Sequence, residues 1–171
     1  MLTRRETAGD VEAIRAVTAA AFARPGEDVS VEARLVDWLR ESQAWLPELS
    51  FVAVDQGGDV VGHVVCTRGT IESALVLALG PLSVRPDCWR RGIGKALMHT
   101  VIGAADALGE PLVALLGSTK YYPRFGFRPA GEYGITPQHQ EWEEHFQVRT
   151  LTAYDPAVRG EFAYPEPFDR L

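Results

Sequence analysis

Two apolar segments joined by a helical pattern, in the middle of the 171-residue chain, constrain the fold more than any other feature of the sequence. The first segment, Ala74–Val84, is rich in leucine and valine and is interrupted by Gly80-Pro81. Further along, apolar residues recur every three or four positions up to Gly109, which predicts a helix with a glycine C-cap. Leu112–Leu116 is a second buried strand segment. Because strand, helix and strand follow one another, we expect the two strands to pair in parallel through a crossover.

Periodicity and turn residues predict the elements on either side of this crossover. They are a first helix behind Asp10, a second helix behind Ser30, a hairpin of Ser50–Asp55 and Asp59–Thr67, a short helix in Thr119–Phe125, an extended piece at Phe127–Pro129 and a strand over His145–Leu151. Gly62, inside the second hairpin strand, indicates a bulge or a close approach of backbone. The sequence therefore predicts one α/β domain over residues 1–171. Its core spans about 1–135, and 136–171 supply a C-terminal strand and a tail with prolines and aromatics.

The composition restricts the classes of function. A chain with 46% hydrophobic and 23% charged residues is globular rather than disordered. Its 17 basic and 23 acidic residues give a net charge of −6, which argues against nucleic-acid binding and suits a cationic small-molecule substrate. Cys66 and Cys88 are too few for a disulfide framework or a four-ligand zinc site, so we expect no metal. Without a leader or a long apolar run, a soluble, cytoplasmic protein with no membrane contact is expected.

A glycine loop lies between the first buried strand and the central helix. Its sequence is RRGIGK, residues Arg90–Lys95. Glycines at a helix start let backbone N–H groups face one anion, and three basic side chains add positive charge. Leu97 stands where a dinucleotide fingerprint needs its third glycine, and the spacing also departs from a Walker A loop. Pyrophosphate binding and a simple tight turn are both consistent with these residues.

Two motifs in the second half of the chain are recognisable. The segment Val84–Leu97 (VRPDCWRRGIGKAL) resembles the acetyl-CoA loop of the GCN5-related N-acetyltransferase (GNAT) superfamily, a Gln/Arg-x-x-Gly-x-Gly/Ala motif that follows a strand and Val-x-Pro. Tyr122–Phe127 (YPRFGF) is similar to the family's Tyr-x-x-x-Gly-Phe, and Tyr121–Ala130 is similar to the YhbS-like branch. The resemblance covers roughly residues 1–135. It implies the GNAT fold, a mixed, mostly antiparallel sheet with splayed central strands flanked by helices, and an acetyl-CoA-dependent N-acetyltransferase.

The resemblance also implies the residues that bind the cofactor. Loop N–H groups hold the pyrophosphate, and a strand bulge beside Gly80-Pro81 turns an N–H toward the thioester oxygen. The backbone of the same strand pairs with the pantetheine amides. Trp89 stands where the family has Gln or Arg, and its ring is expected to pack against the helix or over the cofactor. The assigned residues are Leu82, Ser83, Val84, Trp89, Arg90, Arg91, Gly92, Ile93, Gly94, Lys95 and Ser118.

Tyr122 is the residue that the resemblance assigns as general acid for the departing thiolate. A phenol with a pKa near ~10 is protonated at neutral pH and can supply that proton. The alternative is a ring that only closes the short helix, and Tyr121 lies one residue away. The resemblance assigns no single residue as the general base that deprotonates the amine. The candidate carboxylates, each equally explained as a solvated surface group, are Glu27, Glu32, Glu72, Glu141, Glu143 and Glu144.

The histidines and Cys88 have weaker support for a catalytic or metal-binding role. His139 and His145 lack the spacing of a zinc-binding helix, and His63 is expected to be a half-buried strand residue rather than a base. Cys88 adjoins the basic loop, which makes a covalent acetyl-cysteine a minor alternative to direct transfer.

The acceptor is the least determined part of the sequence reading. In the family architecture the acceptor groove is lined by two regions, here Ala23–Trp45 and Tyr133–Tyr154. Their acids and aromatics suit an amine with apolar bulk, either a small molecule or a peptide, and the same surface suits a homodimer. A non-catalytic acyl-CoA-binding sensor is the alternative function. Longer donors such as succinyl-CoA are equally compatible with the sequence.

Overall fold

The computed structural model describes every residue from Met1 to Leu171. Its strands are β1 (Leu2–Arg5), β2 (Ser50–Val54), β3 (Val60–Ile71), β4 (Ala74–Val84), β5 (Leu112–Leu116), β6 (Arg128–Pro129), β7 (Ile135–Thr136), β8 (Phe146–Thr150) and β9 (Gly160–Ala163). They form a nine-stranded sheet in the order β1-β2-β3-β4-β5-β8-β6, with β9 on β3 and β7 on β9. The sheet is mostly antiparallel, as the resemblance implied.

The centre of the sheet opens between β4 and β5. These strands pair in parallel over only two positions, Leu77 with Val113 and Ala78 with Ala114. Beyond Ala78, β4 continues along β3 without a strand on its other side. The parallel crossover and the splayed central strands are thereby confirmed.

Three α-helices cover the two faces of the sheet. They are α1 (Val11–Ala21), α2 (Val31–Glu41) and α3 (Ile93–Ala107). Val52 of β2 packs in one apolar cluster with α1 and α2, whereas its neighbour Ala53 packs in another with α3. Because successive strand residues point to opposite faces, β2 connects both layers. None of these helices has the length and apolar composition that crossing a bilayer requires.

Local signals identified most helix starts and turns. Ser30 caps α2 as expected, since its hydroxyl oxygen accepts a hydrogen bond from the Ala33 N–H at 3.3 Å. Asp10 stands at the start of α1 but forms no cap bond, because its carboxylate accepts hydrogen bonds from Arg4 and Thr7 instead. At Gly62 both expectations are met: the register shifts beside it, and a Cβ there would lie 2.9 Å from α3 side-chain atoms.

Two parts of the chain differ from the sequence reading. The short polar segment β1 forms an edge strand that pairs with β2. The C-terminal segment is not merely a tail: β9 pairs with β3, and a 3-10 helix follows over Glu166–Arg170. Phe162 of β9 is fully buried in a second apolar cluster with Phe146. The C-terminal segment is therefore anchored to the sheet and positioned near the split between β4 and β5.

Candidate active site

A cavity of about 530 Å³ lies where β4 and β5 separate. Its walls include the β4 segment Leu79–Leu82 and the end of β5 at Leu115 and Leu116. Tyr122, the first residue of a 3-10 helix over Tyr122–Phe125, also lines it. A volume in this range, mostly apolar walls and a few polar groups are typical of sites for small molecules.

The β4 wall of the cavity carries a bulge. Between Val64 and Cys66, β3 has one residue where β4 has two, Gly80 and Pro81. Gly80 has a φ of 135°, which favours glycine, and Pro81 has no N–H to donate. The interruption predicted at this dipeptide is therefore a β-bulge. Because no strand covers the β5 side of β4 beyond Ala78, an extended ligand can pair with that edge.

The start of α3 presents unpaired backbone donors. Gly92 is the N-cap residue with a φ of 80°, and the first intrahelical donor is Ala96, which donates to the Gly92 carbonyl at 3.0 Å. The preceding N–H groups of the first turn therefore have no intrahelical acceptor. Arg90, Arg91 and Lys95 are exposed around this turn. These features make the loop a suitable anion site in a chain of net negative charge.

Of the two placements expected for the Trp89 ring, burial against the helix is wrong, and packing over the cofactor stays a prediction. The Trp89 side chain is not buried against the helix, since the residue is 57% exposed. The indole N–H donates a hydrogen bond to the Val84 carbonyl at 2.8 Å, so the ring folds back over the turn. That carbonyl at the end of β4 is consequently already bonded within the chain.

Two serines assigned to the cofactor lie in different surroundings. Ser83 is 2% exposed, and its hydroxyl lies 3.3 Å from that of Thr18 on α1. Ser118 is exposed, and its hydroxyl accepts a hydrogen bond from the Lys120 N–H at 3.2 Å. Neither serine lines the cavity.

The adjacent tyrosines Tyr121 and Tyr122 occupy separate places. Tyr122 lines the cavity, and burial, together with the neighbouring Tyr121 phenol, raises its pKa to about 12. Tyr121 lies over the first turn of α3, where a Cβ on Gly94 would be 3.0 Å from its hydroxyl oxygen. The guanidinium of Arg124 stacks 4.6 Å from the centre of the Tyr121 ring. Of the two phenols, Tyr122 is the one placed at the cavity wall.

Among the candidate carboxylates, Glu32 is the one that lines the cavity. It lies in the first turn of α2 and accepts a hydrogen bond from Arg24 at 2.8 Å. Glu27 pairs loosely with the same arginine, and Glu72 accepts a hydrogen bond from the Glu161 N–H. The other three candidates are exposed: Glu141, Glu143 and Glu144.

His63 is fully buried rather than half-buried. Its Nε2 lies 2.8 Å from the Ser50 hydroxyl and 3.3 Å from a Glu6 carboxylate oxygen. Burial lowers the pKa of His63, which favours the neutral ring, and the network does not reach the cavity. A role as base for a substrate in the cavity is thus contradicted by its position.

The two cysteines are both free and buried. Cys88 has an Arg85 guanidinium nitrogen 3.6 Å from its sulfur and does not line the cavity. Burial raises the pKa of Cys66. No group of three or more His, Cys, Asp or Glu side chains is arranged to hold a metal.

The C-terminal segment contributes cavity walls that the sequence reading missed. They are Tyr164, Phe168, Asp169 and Leu171. Burial raises the pKa of Tyr164. Of the two regions expected to form the groove, Ala23–Trp45 contributes Glu32 and Leu35, and Tyr133–Tyr154 contributes His139 and Trp142. The aromatic residues near the C-terminus were the signal that could have predicted these walls, because such rings usually pack against the rest of the protein.

A sheet split beside a bulged strand, followed by a glycine turn at a helix start, defines the class of CoA-dependent acyltransferases that the two motifs implied. The family model for the acetyltransferase (GNAT) family matches residues 14–127, which is more than half of the chain. The chain belongs to this family. The family, the fold and the enzyme class expected from the motifs are thereby confirmed.

Relatives agree with this assignment over nearly the whole chain. An uncharacterized N-acetyltransferase of Escherichia coli K12, YjhQ, is 35% identical over 166 residues, which cover 92% of this chain and 88% of YjhQ. The crystal structure of the GNAT protein YhbS from Escherichia coli, in complex with CoA, has a TM-score of 0.89 at 28% identity and covers 99% of this chain and 92% of its own. A GNAT acetyltransferase from Brucella melitensis, in complex with acetyl-CoA, has a TM-score of 0.80 at 32% identity, with coverages of 98% and 97%.

Proposed function

We propose that the protein transfers an acetyl group from acetyl-CoA to the primary amine of a small molecule. The observation that carries this proposal is the cavity at the split between β4 and β5, with Tyr122 in its wall. The neighbouring Tyr121 lies over the first turn of α3, so the two tyrosines connect the anion site to the cavity. The CoA and acetyl-CoA complexes of two relatives support the choice of donor.

The residues at the start of α3 fit the pyrophosphate of the donor. Free N–H groups in the first turn and the exposed side chains of Arg90, Arg91 and Lys95 supply donors and positive charge. The open edge of β4 at Leu82 and Ser83 fits the pantetheine amides, whereas the Val84 carbonyl is engaged by Trp89. The donor supplies an activated acyl group as a thioester.

Acetyl transfer to an amine forms a C–N bond and breaks the C–S bond of the thioester. One proton leaves the nitrogen for water and one reaches the sulfur, and a proton from water restores the donor of the second. Tyr122 is proposed to supply the proton to sulfur, since a phenol with a pKa of about 12 is fully protonated at neutral pH. Burial in the same cavity also raises the pKa of a departing thiol, which reduces the mismatch between the two acids.

Titration calorimetry tests the donor site. Acetyl-CoA and free CoA are expected to bind the wild-type protein in the micromolar range. Arg91→Glu and Lys95→Glu should each weaken binding about tenfold, more at low salt than at high salt, because they reverse a charge beside the pyrophosphate. Arg34→Glu, an exposed change on α2, is the matched control and should bind normally. Absence of heat for both ligands would refute the proposed function.

Turnover tests the role of Tyr122 and separates an enzyme from an acyl-CoA sensor. Tyr122→Phe should lower kcat, measured by thiol release, about 10²–10⁴-fold and leave acetyl-CoA affinity nearly unchanged. Tyr121→Phe is the matched control for kcat at saturating acetyl-CoA, since its hydroxyl lies at α3 rather than in the cavity. Equal loss of binding and turnover in Tyr122→Phe contradicts the assigned role. Tight acetyl-CoA binding without thiol release for any amine tested identifies the sensor.

A further inference from the structure

Glu32 lines the cavity, and one of its two carboxylate oxygens has no hydrogen-bond partner within the protein. The side chain is 15% exposed. Its Oε1 accepts a hydrogen bond from the Arg24 Nη2 at 2.8 Å, whereas its Oε2 is buried and has no hydrogen-bond partner within the protein. A buried oxygen of this kind is destabilising unless a donor reaches it. A ligand N–H is such a donor, and it reaches Oε2 when the carboxylate turns from this buried position toward the cavity.

The charged groups that line the cavity are carboxylates. Besides Glu32 they include Asp169, which is exposed near the C-terminus, and no lysine or arginine lines the cavity. His139 is the remaining ionisable group apart from the two tyrosines, and its ring packs 4.3 Å from that of Trp142. The walls therefore favour a cationic ligand over an anionic one. This electrostatic preference is stronger inside a cavity than in bulk water, because the local dielectric constant is lower.

The apolar walls determine the polarity of the rest of the ligand, beyond its amino group. Besides Tyr122 and His139, aromatic rings line the cavity at four more places: Phe22, Trp142, Tyr164 and Phe168. Such rings, together with the aliphatic side chains of the walls, bind an apolar body. A charged or hydroxylated body would lose its hydrogen bonds to water there without gaining enough new ones.

The C-terminal segment limits the size of the ligand. Tyr164 is tied down by its N–H, which donates to the Gln138 side chain at 3.0 Å. The guanidinium of Arg170 lies 5.1 Å from the centre of the Trp38 ring on α2. The segment thus joins α2 to the sheet across the cavity. A space of about 530 Å³ bounded in this way fits a small molecule rather than a folded protein surface.

We infer that Glu32 binds the amino group of the acceptor, and that the acceptor is a small primary amine with an aromatic or aliphatic body and no carboxylate. This inference rests on the proposed function and names its substrate class. Glu32 accepts an N–H of the amino group at Oε2 while Arg24 holds Oε1. The apolar body lies among the aromatic walls, and a carboxylate on the ligand meets Glu32 and Asp169 as like charges.

Calorimetric titration of CoA-saturated protein tests the inference with 2-phenylethylamine as the probe. Phenylalanine carries the same ring and amine with an added carboxylate, and 3-phenylpropionate carries the carboxylate without the amine. The wild-type protein is expected to bind 2-phenylethylamine at least about tenfold more tightly than either comparison compound. Comparable binding of the three overturns the inference, and so does an absence of binding by 2-phenylethylamine.

The Glu32→Gln variant then tests the residue. It should weaken amine binding about 10- to 100-fold, because it removes a charged acceptor, and should leave acetyl-CoA binding unchanged. Glu32→Asp, which keeps the charge, should restore part of the affinity. Glu27→Gln is the matched control, since Glu27 also lies beside Arg24, at 3.8 Å, but does not line the cavity. A wild-type thermal midpoint for Glu32→Gln excludes misfolding as the cause.

Failure of the inference differs from failure of the proposed function. If acetyl-CoA binds and an amine is acetylated with the same KM in Glu32→Gln as in the wild type, the inference is wrong and the proposed function stands. If acetyl-CoA does not bind and no thiol is released with any amine, the proposed function fails and the inference fails with it.

Discussion

The ring of Tyr122 occupies the space that a side chain on Gly117 would need. A Cβ atom on Gly117 would overlap the ring carbon Cε2 of Tyr122. Gly117 directly follows β5, so the missing side chain lets the ring reach the cavity wall from the next turn of chain. The glycine is part of what positions the proposed general acid.

Gly117→Ala is therefore expected to displace Tyr122 and to lower kcat about 10²-fold, because a displacement of about 1 Å is enough to disrupt proton transfer. Acetyl-CoA affinity should change little. Thiol-release kinetics and calorimetry measure the two quantities. Gly103→Ala in α3, where a Cβ meets nothing within 4 Å, is the control and should keep full activity. Equal kcat values for the two variants would show that Tyr122 tolerates the added methyl group.

Gly62 connects the hairpin to the start of α3. A Cβ at Gly62 would lie 2.9 Å from side-chain atoms of both Ile93 and Leu97, and 3.2 Å from the Ser83 carbonyl oxygen. Gly62→Ala should lower the free energy of unfolding by about 1–3 kcal/mol, because overpacking forces these groups apart. Urea denaturation measures the change. Gly131→Ala, whose Cβ meets no atom within 4 Å, is the control. A Gly62→Ala midpoint equal to that of the wild type would contradict the close approach of α3.

The sequence was sufficient to predict those strands, turns and helices that are marked by a local pattern of residues. The strand β4, the glycine turn at Gly92 and the helix that follows are each marked by apolar periodicity and by residues suited to the turn. The crossover between β4 and β5 followed from the order of these elements. The prediction of an open split at the centre of the sheet rested on the resemblance of the two motifs to one family.

The rest depends on contacts between distant parts of the chain. The four-residue β1 has little apolar character, and its strand state comes from pairing with β2, about fifty residues away. Asp10 has the sequence of a cap residue, yet its carboxylate pairs with Arg4 from β1. Glu32 is distinguished from five similar carboxylates only by the way α2 faces the C-terminal segment. Periodicity carries no information on these pairings.

The Asp10 carboxylate gives a prediction at acid pH. The Arg4 guanidinium, together with hydrogen bonds from Thr7, lowers the pKa of Asp10 from 3.8 to about 2. A lowered pKa means that the stabilisation is complete above pH 3.8 and is lost as the pH falls through about 2. Asp10→Asn should cost about 2 kcal/mol of unfolding free energy at pH 7, since the side chain is 10% exposed.

Urea denaturation at several pH values checks this prediction. The difference between wild type and Asp10→Asn should shrink as the pH drops below 3.8, because the carboxyl of the unfolded state takes up its proton there while that of the folded state is still ionised. Asp87→Asn is the control, because that pair with Arg85 is exposed and its removal should leave the unfolding midpoint unchanged. A difference that is constant from pH 7 to pH 2 would contradict the lowered pKa.

The buried phenol of Tyr122 gives the opposite dependence at alkaline pH. Its pKa is raised to about 12 in the folded protein, whereas an exposed tyrosine has a pKa of 10.0. The folded state therefore keeps this proton longer than the unfolded state, so its contribution to stability is complete below pH 10 and declines between pH 10 and 12. Unfolding free energy should fall less steeply over this range in Tyr122→Phe than in the wild type. Absorbance of the phenolate gives an independent measure: Tyr122 should not ionise in the folded protein near pH 10, and a tyrosine signal at that pH that disappears in Tyr122→Phe would rule out the raised pKa.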